Sequence, residues 1–363
     1  MRSKRIICTV TNDLSYDQRM TRICSSLSAR YEVTLVGRRL RESIPLESRP
    51  YRQKRIRCLF RKGKFFYFEY NLRLLFFLLF SRADLVCAVD LDTIVPCYLA
   101  SRLKGMRRVY DAHELFCEMK EVVTRPRVYR AWKKVEGFCV PRFRNGYTVS
   151  APIAGEFEKL YGVRYELIRN VPLLRPLEVP DKTEKFVLYQ GAVNEGRSFE
   201  TLIPAFREAP AKLLIAGTGN FFRQAQDLVD RNQLNEKIKF LGPMLPGELA
   251  ELTRKAWVGI TLFENRGLSN YYSLANRFFD YLHAGVPQIC VNYPAYREIN
   301  QQFEVALLID DLNAATVSQA LRLLLGNEEL HSRLQKNCLR ARQEFNWQKE
   351  ESRLLQFYER VLT

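Results

Sequence analysis

The sequence predicts an α/β protein built of two Rossmann-like, doubly wound parallel-sheet domains facing a central cleft. Three observations carry this. The chain has 363 residues, too many for one ordinary core. Short β-branched, near-continuous apolar runs recur along it, the signature of parallel strands buried on both faces. Stretches of helical period separate most of these runs, and strand–helix alternation repeated this often builds doubly wound sheets.

In chain order, the strand runs of the first half are RIICTVTN (5–12), YEVTLVGR (31–38), RIRCLF (55–60), DLVCAVD (84–90), RRVYDAHE (107–114), GYTVSA (146–151) and YELIRNV (165–171). In the second half they are KFVLYQG (185–191), KLLIAGTG (212–219), KIKFLG (237–242), WVGITLF (257–263), PQICVN (287–292) and VALLID (305–310). FFRQAQDLVDRNQ and TVSQALRLLLG typify the helices between them. VPLLRPLEVPDKTEK, with its prolines and charges, reads as a linker. The expected organisation is a first domain over 1–172, a linker over 173–184, a second domain over 185–345 and a terminal helix over 346–363. Ligands of such sheets bind beyond the carboxyl ends of the strands, which places the expected site in the cleft.

The charge is one-sided. The formal net charge is +17. Residues 1–150 hold 31 Lys and Arg against 14 Asp and Glu, and the rest of the chain holds 26 of each. The first half therefore faces something anionic: nucleic acid, acidic lipid or an anionic substrate. The basic stretch RRLRESIPLESRPYRQKRIRCLFRKGKFF (38–66) precedes the apolar run FFYFEYNLRLLFFLLF (65–80). Basic residues beside aromatics suit an anionic membrane surface. A solvated basic loop beside a buried helix has the same composition, and no nucleic-acid motif is present. The apolar run holds Glu69, Asn71 and Arg73 and is shorter than the ~20 residues a spanning helix needs. The start MRSKRIICTVTND lacks the apolar core of an export signal. The nine cysteines show no C-x-x-C or metal spacing and read as reduced, mostly buried thiols of a soluble cytosolic chain.

Several segments could carry chemistry. In NYYSLANRFFDYLHAGVP (270–287), Asn276, Asp280 and His283 share a helix face opposite Phe278, Phe279 and Leu282, and Gly285 stops the helix. Asp280 there suits a ribose diol, and Arg277 a diphosphate; an ordinary amphipathic helix fits the same period. YQGAVNEGRSFETLIPAF (189–206) runs from a strand end at Gly191 through Arg197 into a helix, an anion-binding arrangement that also serves plain turn geometry. LIAGTGN (214–220), with Gly217, is a second such turn. Asp111, His113 and Glu114 follow a strand, His113 being one of three histidines. Asp90-Leu91-Asp92 is formally a D-x-D metal motif, but loop capping at a strand end explains it better.

Taken together, these segments resemble the retaining GT-B glycosyltransferases of the "group 1" family. YQGAVNEGR resembles its phosphate loop, LLIAGTGN through the FLG turn at Phe240–Gly242 its nucleotide-site core, and FFDYLHAGVPQICVNYPAYREI its L-E-A-M-A-x-G-x-P-V-V segment. FNWQKEESRLLQFYERV resembles the helix that crosses back to the first domain. TNDLSYDQRMTRI and YDAHELF resemble the family's opening loop and His loop. The S-L-A-N-R-F-F-D-Y variant is similar to a subgroup of bacterial surface-polysaccharide (lipopolysaccharide-type) synthesis. The departures are specific. The E-x7-E motif ends on Asp280, its first acid would fall on Tyr272, and Glu264 of E-N-R-G-L stands in with an insertion before the helix. Ala192 occupies a usual Arg position, and Arg197 replaces the Lys.

The resemblance implies transfer of a sugar from a nucleotide-diphosphate sugar to a hydroxyl of a glycan or lipid-linked saccharide, with retention and without metal or other cofactor. It assigns donor binding to Gly191, Arg197, Gly217, Asn276, Arg277 and Asp280. His113 would meet a donor-sugar hydroxyl, Glu264 the sugar or its phosphates, and Asp13 the acceptor side of the N-terminal domain. The expected location is cytoplasmic and peripheral, at the inner face of the cytoplasmic membrane, with no nucleic-acid partner. A sugar-nucleotide epimerase or hydrolase on this architecture would need more acid–base residues than three histidines suggest. A basic nucleic-acid or scaffold module would not need Arg197, Arg277 and Asp280.

Overall fold

A computed structural model describes residues 3–15, 17–178, 180 and 184–363. Tyr16 of the opening loop and residues 179 and 181–183 of the expected linker lie outside the described residues. The chain divides into two units, residues 1–170 with 350–363, and residues 171–349.

The first unit holds a seven-stranded sheet of β1 (Arg5–Thr9), β2 (Glu32–Arg39), β3 (Arg52–Arg57), β4 (Leu85–Val89), β5 (Arg107–Ala112), β6 (Gly146–Thr148) and β7 (Glu166–Leu167), in the order β3-β2-β1-β4-β5-β6-β7. The second holds β8 (Phe186–Gln190), β9 (Lys212–Ala216), β10 (Ile238–Gly242), β11 (Val258–Thr261), β12 (Gln288–Val291) and β13 (Ala306–Ile309), in the order β10-β9-β8-β11-β12-β13. Every pairing in both sheets is parallel. β4 and β8 are buried along their whole length, as the continuous apolar runs demand. In each sheet the winding reverses beside its first strand, between β1 and β4 and between β8 and β11. Loops leaving the carboxyl ends of two such neighbours diverge and open a crevice there.

Each expected strand run overlaps an observed strand, with shifted ends. The run 55–60 pairs as Arg52–Arg57, because its register is set by β2, with Arg55 opposite Gly37. The run 165–171 shrinks to two paired residues at the sheet edge. The terminal helix Trp347–Leu362 contributes Phe357 and Tyr358, whose rings lie 5.3 and 6.3 Å from that of Tyr147 on β6. All nine cysteines are free, and all but the half-buried Cys58 are buried.

Candidate functional site

In the second unit, the loops after β8, β9 and β11 are locked together through glycine. Gly217 sits at φ +147°, and its N–H donates to Gly242 O at 2.8 Å. A Cβ at Gly217 would lie 1.9 Å from Gly191 O, so the loops after β8 and β9 approach too closely for any side chain. Gly191 itself has φ +113°. The Gly191–Ser198 loop is further tied by Asn194, whose Oδ1 accepts from Asn220 N–H, while Asn220 Oδ1 accepts from Glu195 N–H, both at 3.0 Å. Glu264 N–H donates to Gly196 O at 3.0 Å, which joins the post-β11 loop to it. The helix beyond Arg197 is short, Phe199–Ala205.

The helix Asn276–His283 sets its side chains against these loops. Its period buries Phe278, Phe279 and Leu282 as expected. Arg277, however, is not on a solvated stripe. It is 8% exposed, with its guanidinium carbon 4.4 Å from the Tyr189 ring centroid and 5.2 Å from that of Phe263. Its nearest atoms come within 3.8 Å of where a Gly191 Cβ would stand, and its Nη1 is buried without a hydrogen-bond partner among the described residues. A buried guanidinium group with a free donor beside bare backbone is suited to an anion, since leaving it unsatisfied is costly. Arg197 lies over the other aromatic of the pair, 4.4 Å from the Phe263 centroid. Both arginines therefore flank Phe263, at the strand end where the second sheet's winding reverses.

Asp280, one turn on, accepts from Gln190 Nε2 at 3.0 Å, and Gln190 Oε1 accepts from Thr253 Oγ1 at 2.7 Å. This relay fixes one carboxylate oxygen. Asn276 opens the same helix and is exposed. His283, grouped with Asn276 and Asp280 by period, instead bonds Phe345 O at 2.6 Å; burial pushes its pKa down to about 4, which makes it a neutral core residue. Glu264 pairs with Arg266 at 3.3 Å. The insertion after it is the short helix Leu268–Tyr271, with Tyr272 at its end.

In the first unit, a pocket of about 560 Å³ opens at the carboxyl ends of β1 and β4. Asn12, Asp17, Arg38, Arg61, Lys62 and Tyr67 line one part; Asp90, Asp92, His113 and Glu114 line another. His113 Nδ1 is 3.2 Å from Asp90 Oδ2, and His113 N–H donates to Asp90 Oδ1 at 3.0 Å. Burial disfavours the imidazolium, but the Asp90 carboxylate outweighs it and carries the pKa up to about 9. Asp90 sits at φ 56°, ψ 174°, a region nearly reserved for glycine. The strain is held by its N–H bond to Asp111 O at 3.0 Å and by the doubled contact with His113. Asp92 accepts from Thr11 Oγ1; burial, then repulsion by Asp90, pushes its pKa up to about 7. Asp111 is fully buried and pairs with Arg19 at 2.6 Å beneath this floor. Among the described residues no group of three or more His, Cys, Asp or Glu is placed to hold a metal ion.

Asp13 stands apart from the pocket lining. Its carboxylate accepts from Ser43 Oγ, from Ser15 N–H at 3.0 Å and from Arg55 Nη2 at 2.8 Å, which pins the opening loop to β3. Its neighbours Asn12 and Asp17 face the pocket instead. Sequence reasoning did not single out Asn12, Asp17, Arg38, Arg61, Lys62, Gln190, Tyr189 or Phe263. Arg38 and Gln190 carried a usable signal, since each ends a strand run at the carboxyl side; the others depend on packing across the chain.

Residues 172–340 match the family model of glycosyl transferases group 1, and residues 18–173 that of glycosyltransferase family 4. No curated protein matches the chain. Among solved structures, the sucrose-phosphate synthase of Thermosynechococcus elongatus aligns with TM-score 0.86 at 17% identity, covering 99% of both chains. Anabaena HepE in complex with UDP and glucose aligns at 0.77 and 13%, covering 98% of this chain and 99% of its own. WaaG, a glycosyltransferase involved in lipopolysaccharide biosynthesis, aligns at 0.71 and 15%, covering 96% and 98%. These structures share the two-sheet GT-B architecture, each half of the chain matches a glycosyltransferase family model, and the chain is similar to the group 1 glycosyltransferases over residues 172–340.

Proposed function

We propose that the protein moves a sugar from a nucleotide-diphosphate sugar to a hydroxyl of a glycan or a lipid-linked saccharide, with retention of anomeric configuration and without a bound metal. The observation that carries the reading is Arg277, a buried guanidinium group with an unused donor, set against Gly191 at the winding reversal of the second sheet. A diphosphate there would satisfy that donor and receive backbone N–H groups from the glycine loops. Arg197 adds a second cation on the other side of Phe263. Asp280, steadied by Gln190, accepts from the ribose hydroxyls, with Asn276 beside it. Glu264 is assigned to the donor sugar or its phosphates, and His113, oriented by Asp90, donates to a sugar hydroxyl.

In the reaction the bond from the anomeric carbon to the diphosphate oxygen breaks. The acceptor oxygen bonds that carbon on the same face, and its proton passes to the departing phosphate. The arginines stabilise the charge that develops on the leaving group. The unit pocket around Asn12, Asp17 and Lys62 takes the acceptor. The excess positive charge of residues 1–150 supports work at an anionic surface, the inner face of the cytoplasmic membrane.

Thermal unfolding with UDP-, GDP-, TDP- and CDP-sugars, with and without EDTA, tests this. UDP-glucose comes first, because HepE is solved with it. A ligand at 100 times Kd stabilises by about 2.7 kcal/mol. The expected shift appears with one nucleotide class, survives EDTA and vanishes in Asp280→Ala. A shift abolished by EDTA overturns the metal-free reading, and no shift with any class removes the donor site. NMR of the product anomer tests retention.

A further inference from the structure

The helix Gly63–Phe80 is apolar on two opposite faces. Phe66, Tyr70, Leu74 and Leu78 are buried in the first unit. At 100° per residue, Phe65, Phe68, Leu72, Phe76 and Phe80 fall on the other side, and all five are exposed, Phe68 at 70% and Phe80 at 86%. An ordinary surface helix carries charge there. The helix Ile94–Lys104 packs beside it and adds a second stripe, Val95, Leu99 and Leu103, the last 72% exposed. Lys104 Nζ joins the two helices by donating to Leu79 O at 2.9 Å.

The face is built rather than frayed. Glu69 accepts from Leu59 N–H at 2.8 Å and Phe60 N–H at 2.9 Å, which holds that exposed apolar turn against the helix, and the Phe60 and Phe65 rings lie 5.4 Å apart. Its one acid, Glu69, is also neutralised by Arg73 at 2.8 Å. Arg61, Lys62, Lys64, Arg82 and Arg102 are exposed at its ends and edges. A patch of this size needs a cover, and a cationic rim matches an anionic one. Among the described residues no helix is long and apolar enough to cross a membrane.

We propose that this two-helix face lies flat on an anionic phospholipid bilayer, its aromatic residues in the acyl boundary and its basic rim among the headgroups. The inference rests on the membrane-surface reading above and gives it a location. Because Lys62 and Tyr67 line the first-unit pocket and Phe65 and Phe68 lie on the same helix, this placement brings the pocket mouth to the headgroup level, where a lipid-linked saccharide presents its sugar.

Co-sedimentation with phosphatidylcholine vesicles, with and without phosphatidylglycerol, tests it. The wild type is expected to pellet with the anionic vesicles at low salt. Phe68→Asp/Phe76→Asp and, separately, Leu103→Asp are expected to weaken partitioning about tenfold or more, with unchanged melting temperature and unchanged donor-induced shift. Variants that pellet like the wild type, or a wild type that does not pellet, overturn the proposal. So does light scattering in which the wild type is a dimer, the variants are monomers and vesicle binding is unaltered, since a second copy then covers the face. Vesicle binding sensitive to these variants in a protein that shows no donor shift supports the surface while removing the transferase reading.

Discussion

The Asp90–His113 pair makes stability depend on pH in a calculable way. His113 moves from its ordinary pKa of 6.5 up to about 9 in the fold, with burial opposing the shift and Asp90 driving it. The folded state thus holds a proton that the unfolded chain has released. The pair's contribution is complete below pH 6.5 and is lost as pH rises through about 9. At about 1.36 kcal/mol per pKa unit the shift corresponds to roughly 3 kcal/mol. The His113 side chain is 33% exposed, so solvent screening reduces this to about 1–2 kcal/mol. On a unit of this size, that lowers the melting temperature by roughly 2–8 °C between pH 6.5 and 9.5. Asp90→Asn is the informative perturbation. It keeps the side-chain shape, the acceptor for His113 N–H and the same backbone strain at φ 56°, and removes only the charge. Differential scanning fluorimetry across this range should show the wild-type loss and a flattened Asp90→Asn profile. Asp92 titrates lower, its contribution being lost as pH rises towards about 7, so the two windows are separable. Parallel profiles for wild type and Asp90→Asn above pH 7 would refute the reasoning.

Other substitutions follow from the second unit. Gly217→Ala places a Cβ 1.9 Å from Gly191 O at a φ of +147°, and should lower stability by about 3 kcal/mol or more and abolish nucleotide binding, read by denaturant titration and calorimetry. Arg277→Met keeps the packing against Tyr189 and Phe263 and removes the charge; the protein should stay folded, by circular dichroism, while donor affinity falls by about tenfold or more. Gln190→Leu removes the amide that donates to the Asp280 carboxylate, so donor binding should weaken by roughly 1–2 kcal/mol in isothermal titration, with a smaller loss in Asp280→Asn/Gln190→Leu than the two single effects summed.

Much of the fold was legible because burial on both faces writes parallel strands as continuous apolar runs. Strand ends were not, because pairing decides them: Arg52–Arg57 takes its limits from β2, and the run at 165–171 has a neighbour on one side only. Gly191, Gly217, Arg197 and Asp280 could be marked from strand ends and helix period. His283 was misgrouped by the same period, because an angle on a helix does not say whether solvent or Phe345 O waits there.

The sequence by itself determined the alternation of strands and helices, the one-sided charge and the residue types at each strand end, all of which are local or additive properties of the chain. Only the tertiary structure decided which of these groups meet. Asp90 reaches His113 because β4 and β5 are neighbours, and Arg277 slides between Tyr189 and Phe263 because β8 and β11 are. It also decided which apolar face of Gly63–Phe80 found a core and which was left to solvent, since a helix hydrophobic all round carries no record of the side its sheet covers.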